Sequence, residues 1–365
     1  MREEEWFDQG APATQAWHAV ADARLREAED CWRAATRDGI SAWHRKVAEI
    51  DIRFEWPRSQ NDPPLKRALA HLPEATTAEW TVHVWNDSEA SQRLPVPDWR
   101  MREGQINNRL PVCCRPGLVS LIEEWLGAHA WVESTRREAW VCYRDVDRLH
   151  RYEQVSPCRG VLHHILAGNN VQIVHASAFA GSSGAVLLAG PSGSGKSSTA
   201  LRALQAGYGY LADDLCAIAT THPVRIVSLY HAAKLRASNL PAFPGWASRV
   251  VTYEEDDETN AACFLAEVCP ERLLVGAPLQ AILLPRIAGQ PQTTLEKAGI
   301  RDVLAGVLPW TVDQLPGAGQ EIVRHVFHGL ARIPAWHLSL GTEEAGILAA
   351  LEPFAGGPLH SAWKP

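Results

Sequence analysis

Apolar and aromatic side chains recur at Trp17, Ala21, Leu25, Ala28 and Trp32, close to the 3.6-residue period of an amphipathic helix. The pattern predicts a helical N-terminal arm over residues 1–48, helical from residue 12, broken at Gly39 and resumed as a short helix around Ala42–Ile50. A buried stripe explains such an arm; a docking element is the sharper alternative, since tryptophan is favoured in binding hot spots. The period then changes. Asp51–Trp56 and Trp80–Trp85 alternate every second residue, as strands do, and Pro63-Pro64, Pro73 and Asn86-Asp87-Ser88 punctuate them. Residues 130–145 alternate again, so residues 49–154 read as a β-rich N-terminal domain.

From about residue 155 the rhythm is different. Val161–Leu166 predicts a helix stopped by Gly168 and Asn169-Asn170, and Val171–His175 a short strand. Ala185–Ala189 is an apolar run of buried-strand length, followed by a glycine-rich loop and a helix over Lys196–Gln205, with Gly207 as its stop. Tyr208–Ala212 and Leu215–Ala219 predict further strands. Strand, loop, helix and strand at this spacing is the grammar of an α/β nucleotide-binding core, assigned to residues 155–355.

Composition narrows the class. The chain has 365 residues, 46% hydrophobic and 21% charged, enough for about two cores of ordinary globular make-up. A net charge of −7 without a basic tract argues against nucleic acid or an anionic membrane as partner. No apolar run is long enough to span a bilayer, and the acid-rich start lacks a signal-peptide core, so a cytoplasmic protein is expected. The eight cysteines contain no C-x-x-C pair; Cys113-Cys114 are adjacent, and free thiols rather than a zinc site are expected. Tryptophan is the compositional oddity: there are 15, and eleven lie at or before Trp140. Those rings either pack the β-rich half or help to select a substrate.

Gly190-Pro191-Ser192-Gly193-Ser194-Gly195-Lys196-Ser197 has the form G-x-x-x-x-G-K-[ST], preceded by an apolar strand and followed by a helix. The glycines let backbone N–H groups turn inward as an anion nest, and the helix N-terminus adds the positive end of its dipole. Lys196 suits the β- and γ-phosphates, and Ser197 offers a hydroxyl to Mg²⁺; Ser198 completes the predicted nucleotide-binding stretch. Asp213-Asp214 follow an apolar strand, 17 residues beyond Lys196. Two adjacent acids there repel each other unless a cation compensates, as Mg²⁺–ATP would. In phosphoryl transfer one carboxylate can hold the metal while another accepts the hydroxyl proton. An acidic turn or a helix cap is the plainer reading of the pair. His175 closes its strand 15 residues before Gly190.

These residues resemble a known family. Val174-His-Ala-Ser-Ala178, Gly184–Leu201 with its glycine loop, and Ala206-Gly-Tyr-Gly-Tyr-Leu-Ala-Asp-Asp214 are similar to the catalytic domain of bacterial HPr kinase/phosphorylase. More closely, the chain resembles the broad group of HPr-kinase-like serine kinases, which includes enzymes that phosphorylate ribosomal peptide precursors. Softer similarity continues through Ser228–Leu235, Ala281–Arg286 and Gln314–Gly319, covering most of residues 155–350. The resemblance implies a phosphoenolpyruvate-carboxykinase-like P-loop core rather than a Ras-type domain. It implies that Asp213 helps hold Mg²⁺, Asp214 is the general base, and His175 sits beside the phosphates. Lys234, Arg236 and Arg286 are the spare cations to consider as phosphate or substrate clamps. The glycine-rich signature with glutamate that true HPr kinase/phosphorylases carry downstream is absent. That departure counts against a phosphorylase reaction and against HPr as substrate.

The expectation is therefore an ATP- and Mg²⁺-dependent kinase acting on a hydroxyl of a peptide or small protein, with a homo-oligomer open. A small-molecule kinase of the same fold, or a nucleotide-sensing binding module without catalysis, are the alternatives. Three weaker features are read plainly. Glu254–Glu258 is a solvated acidic loop that could instead greet a basic peptide. His163-His164 point to different helix faces, and His325 and His328 lie one turn apart on an exposed face.

Overall fold

The computed structural model describes residues 11–95, 110–111, 115–123, 127–243, 246, 249–255, 258–315 and 319–362. Trp6, Trp99, Trp125, Trp363 and the Cys113-Cys114 pair lie outside them. The fold is mixed α/β, with several sheets and eight helices among the described residues.

Helix α1 spans Ala11–Ala35, as the apolar period predicts. The short helix expected around Ala42–Ile50 is not there. Ile40–Val47 is strand β1, paired antiparallel with β2 (Ile50–Pro57) from Ile40↔Pro57 to Val47↔Ile50. Ala48 and Glu49 make the turn, both with positive φ (48° and 73°), the backbone of a tight two-residue hairpin. The strand conformation places Trp43 against Phe54, ring centroids 6.1 Å apart, with the Arg45 guanidinium 4.1 Å over the Trp43 ring.

A seven-stranded sheet runs in the order β1-β2-β3-β7-β6-β5-β4. Its other strands are β3 (Trp80–Asn86), β4 (Leu110–Pro111), β5 (Leu118–Glu123), β6 (Ala128–Glu133) and β7 (Glu138–Tyr143). Alternation divides its faces. Val82, Val84, Ala130, Val132, Ala139 and Val141 point to a large core, while Trp85, Trp131, Trp140 and Cys142 point the other way. That second face is covered by α1 through Ala21, Leu25, Ala28, Cys31 and Trp32. Arg115 fastens the cover, donating to Asp22 of α1 and to the buried Glu133, each at 2.7 Å. Seven of the eleven early tryptophans are thus ordered within the sheet or on its cover: Trp32, Trp43, Trp56, Trp80, Trp85, Trp131 and Trp140.

The large core is shared. The inner face of this sheet packs with α4 (Arg159–Ala167) and with strands of a second, nine-stranded sheet, so the two halves of the chain meet in one apolar cluster. Helix α2 (Pro64–Ala68) adds to the junction: Arg67 grips Glu267 with two N–H groups at 2.6 and 2.9 Å. Helix α3 (Arg151–Val155) leads into α4.

The nine-stranded sheet is mixed. Strand β10 (Gly184–Leu188) lies between β9 (Ser177–Gly181), antiparallel to it, and β17 (Gly276–Ile287), parallel to it. Strand β11 (Gly209–Ala212) pairs with the outer side of β9. Strand β17 also pairs with β13 (Arg225–Val227), which leads through β12 (Cys216–Ala219) to β8 (Val171–Val174), and with β19 (Ala335–Leu340), whose partner is β18 (Thr294–Ala298). Helices α5 (Lys196–Gln205), α6 (Ile300–Gln314), α7 (Gly319–Leu330) and α8 (Glu344–Ala355) pack around it. A small antiparallel sheet, β14-β16-β15, carries Ala232–Arg236, Glu258–Phe264 and Val250–Glu255. The acidic run Glu254–Glu258 is therefore the tip of a hairpin between two strands, with residues 256–257 outside the described ones.

The six described cysteines are free and buried. No helix among the described residues is long and apolar enough to cross a membrane. The histidine pairs differ from expectation. The rings of His163 and His164 touch edge-on at 5.1 Å, and His325 turns partly inward, close enough to His163 to disfavour its charged form.

Candidate functional site

The chain crosses between the two ends of the nine-stranded sheet at two places. One is the β8–β9 connection, at His175 and Ala176; the other is the β11–β12 connection, at Asp213, Asp214 and Leu215. Paired strands bring the crossings together: Val174 pairs with Cys216, and Ala178 with Ala212. The histidine and both acids therefore meet where the sheet changes its strand neighbours, and strand β10 delivers the glycine loop to the same end.

The loop Gly190–Gly195 runs straight into α5, whose first helical residue is Lys196. Gly195 has φ 104°, and a Cβ there would come within 2.4 Å of Leu340 Cδ1. Gly193 has φ 75° and faces open space. The Ser194 hydroxyl is buried without a hydrogen-bond partner and lies on the inner side of the loop, 3.1 Å from where a Gly190 Cβ would stand. Pro191, Ser192, Gly193 and Ser198 are exposed, Ser194 and Ser197 half-buried. A concave turn at a helix N-terminus, with an orphan hydroxyl inside it, fits an anion. Lys196 curls back over this turn, donating to Gly190 O at 2.8 Å and Pro191 O at 2.9 Å. Its ammonium is buried, which lowers its pKa, while Asp214 and Asp213 pull it back up.

Asp213 is buried and fully engaged. Its Oδ1 accepts from Ser177 Oγ at 2.6 Å and from Ser197 Oγ at 2.7 Å, and its Oδ2 accepts from the Lys234 backbone N–H at 3.0 Å. The Ser197 hydroxyl and the Asp213 carboxylate are thus adjacent hard oxygen donors beside the phosphate-type turn, a set that suits Mg²⁺. No group of three or more His, Cys, Asp or Glu side chains among the described residues is arranged to hold a metal. A two-residue set fits an ion that arrives with phosphate oxygens and keeps water on its other positions.

Asp214 has φ 68°, a left-handed conformation uncommon outside glycine. Its Oδ2 is paired with Lys234 Nζ, and its Oδ1 lies 3.3 Å from His175 Nδ1. Burial works to raise its pKa, but the Lys234 ammonium above all, with the Arg159 guanidinium, outweighs that and holds it well below the usual carboxylate range. His175 is buried, and that burial depresses its pKa against the pull of Asp214.

Of the three spare cations, Lys234 reaches the acids, gripping Asp213 by its main chain and Asp214 by its side chain. Arg236 is exposed two positions further along β14. Arg286 ends β17 next to the loop, where its Nε donates to Ser339 Oγ at 2.8 Å.

Four neighbours escaped the sequence reading. Ser177, two residues beyond His175 on β9, was legible as the next position of the same quoted run. Thr311 and Gln314, one turn apart at the end of α6, hold His175: Thr311 Oγ1 accepts its backbone N–H at 3.0 Å, and Gln314 Nε2 lies 2.9 Å from its Nδ1. Tyr152 of α3 lays its ring 4.4 Å from Lys234 Nζ, a contact nothing in the sequence announces. No protein-family model matches the chain, and no curated protein matches it significantly.

Proposed function

We propose that this chain is an ATP- and Mg²⁺-dependent phosphotransferase of the HPr-kinase-like type, moving the γ-phosphate to a hydroxyl, with serine of a peptide or small protein as acceptor. One observation carries the reading: the glycine loop, the Ser197–Asp213 oxygen pair and Asp214 converge on one end of the sheet. A glycine-rich connector or an acidic turn would have no reason to meet there. The mixed sheet around β10, with an antiparallel strand on one side and a parallel one on the other, supports a carboxykinase-like core over an all-parallel one.

In this mechanism the backbone N–H groups of Ser192–Ser198 bind phosphate oxygens at the helix N-terminus. Lys196 exchanges the carbonyls of Gly190 and Pro191 for the β- and γ-phosphates, which relieves the burial of an ammonium held only by neutral acceptors. Ser197 and Asp213 would hold Mg²⁺, whose chemistry is to neutralise charge building on the phosphate oxygens. Asp214 orients the acceptor hydroxyl and receives its proton. The strong pairing with Lys234 leaves Asp214 a weak base, which suffices where the transition state is loose and the proton departs late. Lys234 keeps Asp214 ionised and in place.

The test is Asp214→Asn. Nucleotide affinity, measured calorimetrically, should persist, and transfer of labelled γ-phosphate to serine peptides, small proteins or metabolites should be abolished. Wild-type transfer by the variant would remove Asp214 from the base role. ATP binding by the wild type without transfer to any acceptor class would favour a nucleotide sensor.

A further inference from the structure

We infer that Gln314 is a positioning residue for His175: its amide selects the imidazole tautomer and so keeps one oxygen of Asp214 open. His175 Nδ1 faces two groups, Gln314 Nε2 at 2.9 Å and Asp214 Oδ1 at 3.3 Å. A neutral imidazole carries one N–H and one bare nitrogen, so Nδ1 can serve only one of them. With the proton on Nδ1 the ring would donate to the carboxylate, and a charge-assisted bond of that kind closes to about 2.7–2.9 Å. The carboxylate stands further off than that, whereas the amide sits at normal hydrogen-bond distance. The spacing is that of a bare Nδ1 accepting from Gln314, with the proton on Nε2.

The surroundings hold this choice. Thr311, one turn before Gln314, donates to Val307 O at 2.7 Å and accepts the His175 backbone N–H at 3.0 Å. One helix end thereby fixes the main chain and the ring of the same residue. Asp214 meets its positive partner on the other oxygen, Oδ2, from Lys234. Burial keeps the imidazole neutral. Gln314 Oε1 is buried with no partner, so the amide is held through its donor end alone.

The consequence for catalysis rests on the phosphotransfer reading above; the tautomer does not. In the transfer the acceptor O–H bond breaks, an O–P bond forms, the bond from Pγ to the bridging oxygen breaks, and the proton goes to Asp214. Oδ2 is occupied by Lys234, so Oδ1 must take it. A His175 N–H pointing at Oδ1 would block that oxygen. An Nδ1 that accepts from Gln314 presents no N–H to that oxygen and leaves it open.

The experiment uses the full chain with ¹⁵N-labelled histidine rings and long-range ¹H–¹⁵N correlation at pH 7.5, His175 being assigned from a His175→Asn spectrum. The wild type should show Nδ1 bare and Nε2 protonated. Gln314→Leu removes the donor, and the proton should move to Nδ1. Gln314→Glu keeps the size but can only accept, and should produce the same move. A wild-type His175 protonated on Nδ1, or a tautomer unchanged in folded Gln314→Glu, would overturn the inference. A kinetic arm separates it from the wider reading: Gln314→Leu should lower kcat roughly 100-fold, the size of a general-base contribution, with nucleotide affinity unchanged. Absence of phosphotransfer by the wild type would defeat the kinase reading and leave the tautomer result standing.

Discussion

Acid should unfold this protein well before its carboxylates are protonated. His71, His129 and His163 are buried, and burial pushes each imidazole down to about 3. Like-charged neighbours add to this: His231 beside His71, Arg144 and Arg24 beside His129, His164 and His325 beside His163. The unfolded chain takes up a proton at each site near pH 6.5, and the folded chain refuses it until about pH 3. Stability is therefore intact above pH 6.5 and falls as pH drops below it. Each histidine costs about 1.4 kcal/mol per pH unit in that window, so three cost about 4 kcal/mol by pH 5.5. A native domain holds roughly 5–15 kcal/mol in total. His175 and His231 are shifted in the same direction, so three protons is a floor. Urea unfolding at pH 7.5, 6.5 and 5.5 and constant ionic strength should show the midpoint falling with little change in slope. His163→Leu should make the pH dependence shallower by one proton. A midpoint that stays level or rises between pH 7.5 and 5.5 would refute the argument.

Other outcomes follow from the same geometry. Gly195→Ala places a Cβ 2.4 Å from Leu340 Cδ1 at a φ of 104°; overpacking and the left-handed backbone should together cost about 2–5 kcal/mol and weaken nucleotide binding, read by thermal melts with and without ATP–Mg²⁺. Lys196→Met cannot answer phosphate charge, and transfer should fall by roughly 100-fold or more, measured under saturating acceptor. Trp85→Ala should lose about 3–5 kcal/mol by denaturant titration, since the ring is 1% exposed among Trp32, Trp131 and Trp140; nucleotide affinity of the folded fraction should hold, because that face lies opposite the shared core.

The site was largely legible and its surroundings were not, for a physical reason. Glycines, lysine and adjacent acids sit within short stretches of chain, and local spacing dictates what they can do. The helix Lys196–Gln205 and the strands on either side of it were read nearly to the residue for the same reason. The error at Ala42–Ile50 came from a turn without a signal. Hairpins of this kind advertise themselves through glycine or asparagine, and here Ala48 and Glu49 take positive φ instead. Helix-forming residues such as Ala42, Arg45, Lys46 and Glu49 then dominated the local pattern. Pairing along all eight residues of β2 overrode that preference. Tyr152 was invisible, and Gln314 stood out only as the first residue of a quoted stretch, because the contacts of Tyr152 with Lys234 and of Gln314 with His175 exist only in three dimensions.

The tryptophan bias illustrates how composition acquires meaning from topology. Two adjacent strands of the seven-stranded sheet, β6 and β7, turn Trp131 and Trp140 to the same face as a paired row, and Trp85 of β3 lies beside Cys142. Covering such a face takes a long helix, and α1 supplies a stripe of Ala21, Leu25, Ala28, Cys31 and Trp32, the last with its ring centroid 6.2 Å from that of Trp85. The indole nitrogens of Trp85 and Trp131 remain buried without partners, which is affordable for a weak donor in an otherwise apolar layer. With that face sealed by α1 and the other merged into the shared core, Trp32, Trp80, Trp85, Trp131 and Trp140 serve packing. On the phosphotransfer reading proposed above, acceptor selection falls to exposed charged groups such as Arg286, which ends β17 next to the loop, and Arg236, two positions beyond Lys234 on β14. A serine peptide bearing acidic residues beside its hydroxyl should consequently be phosphorylated faster than the same peptide with those residues neutralised. The advantage should shrink in Arg236→Ala or Arg286→Ala; equal rates for the two peptides with the wild type would separate these arginines from substrate choice.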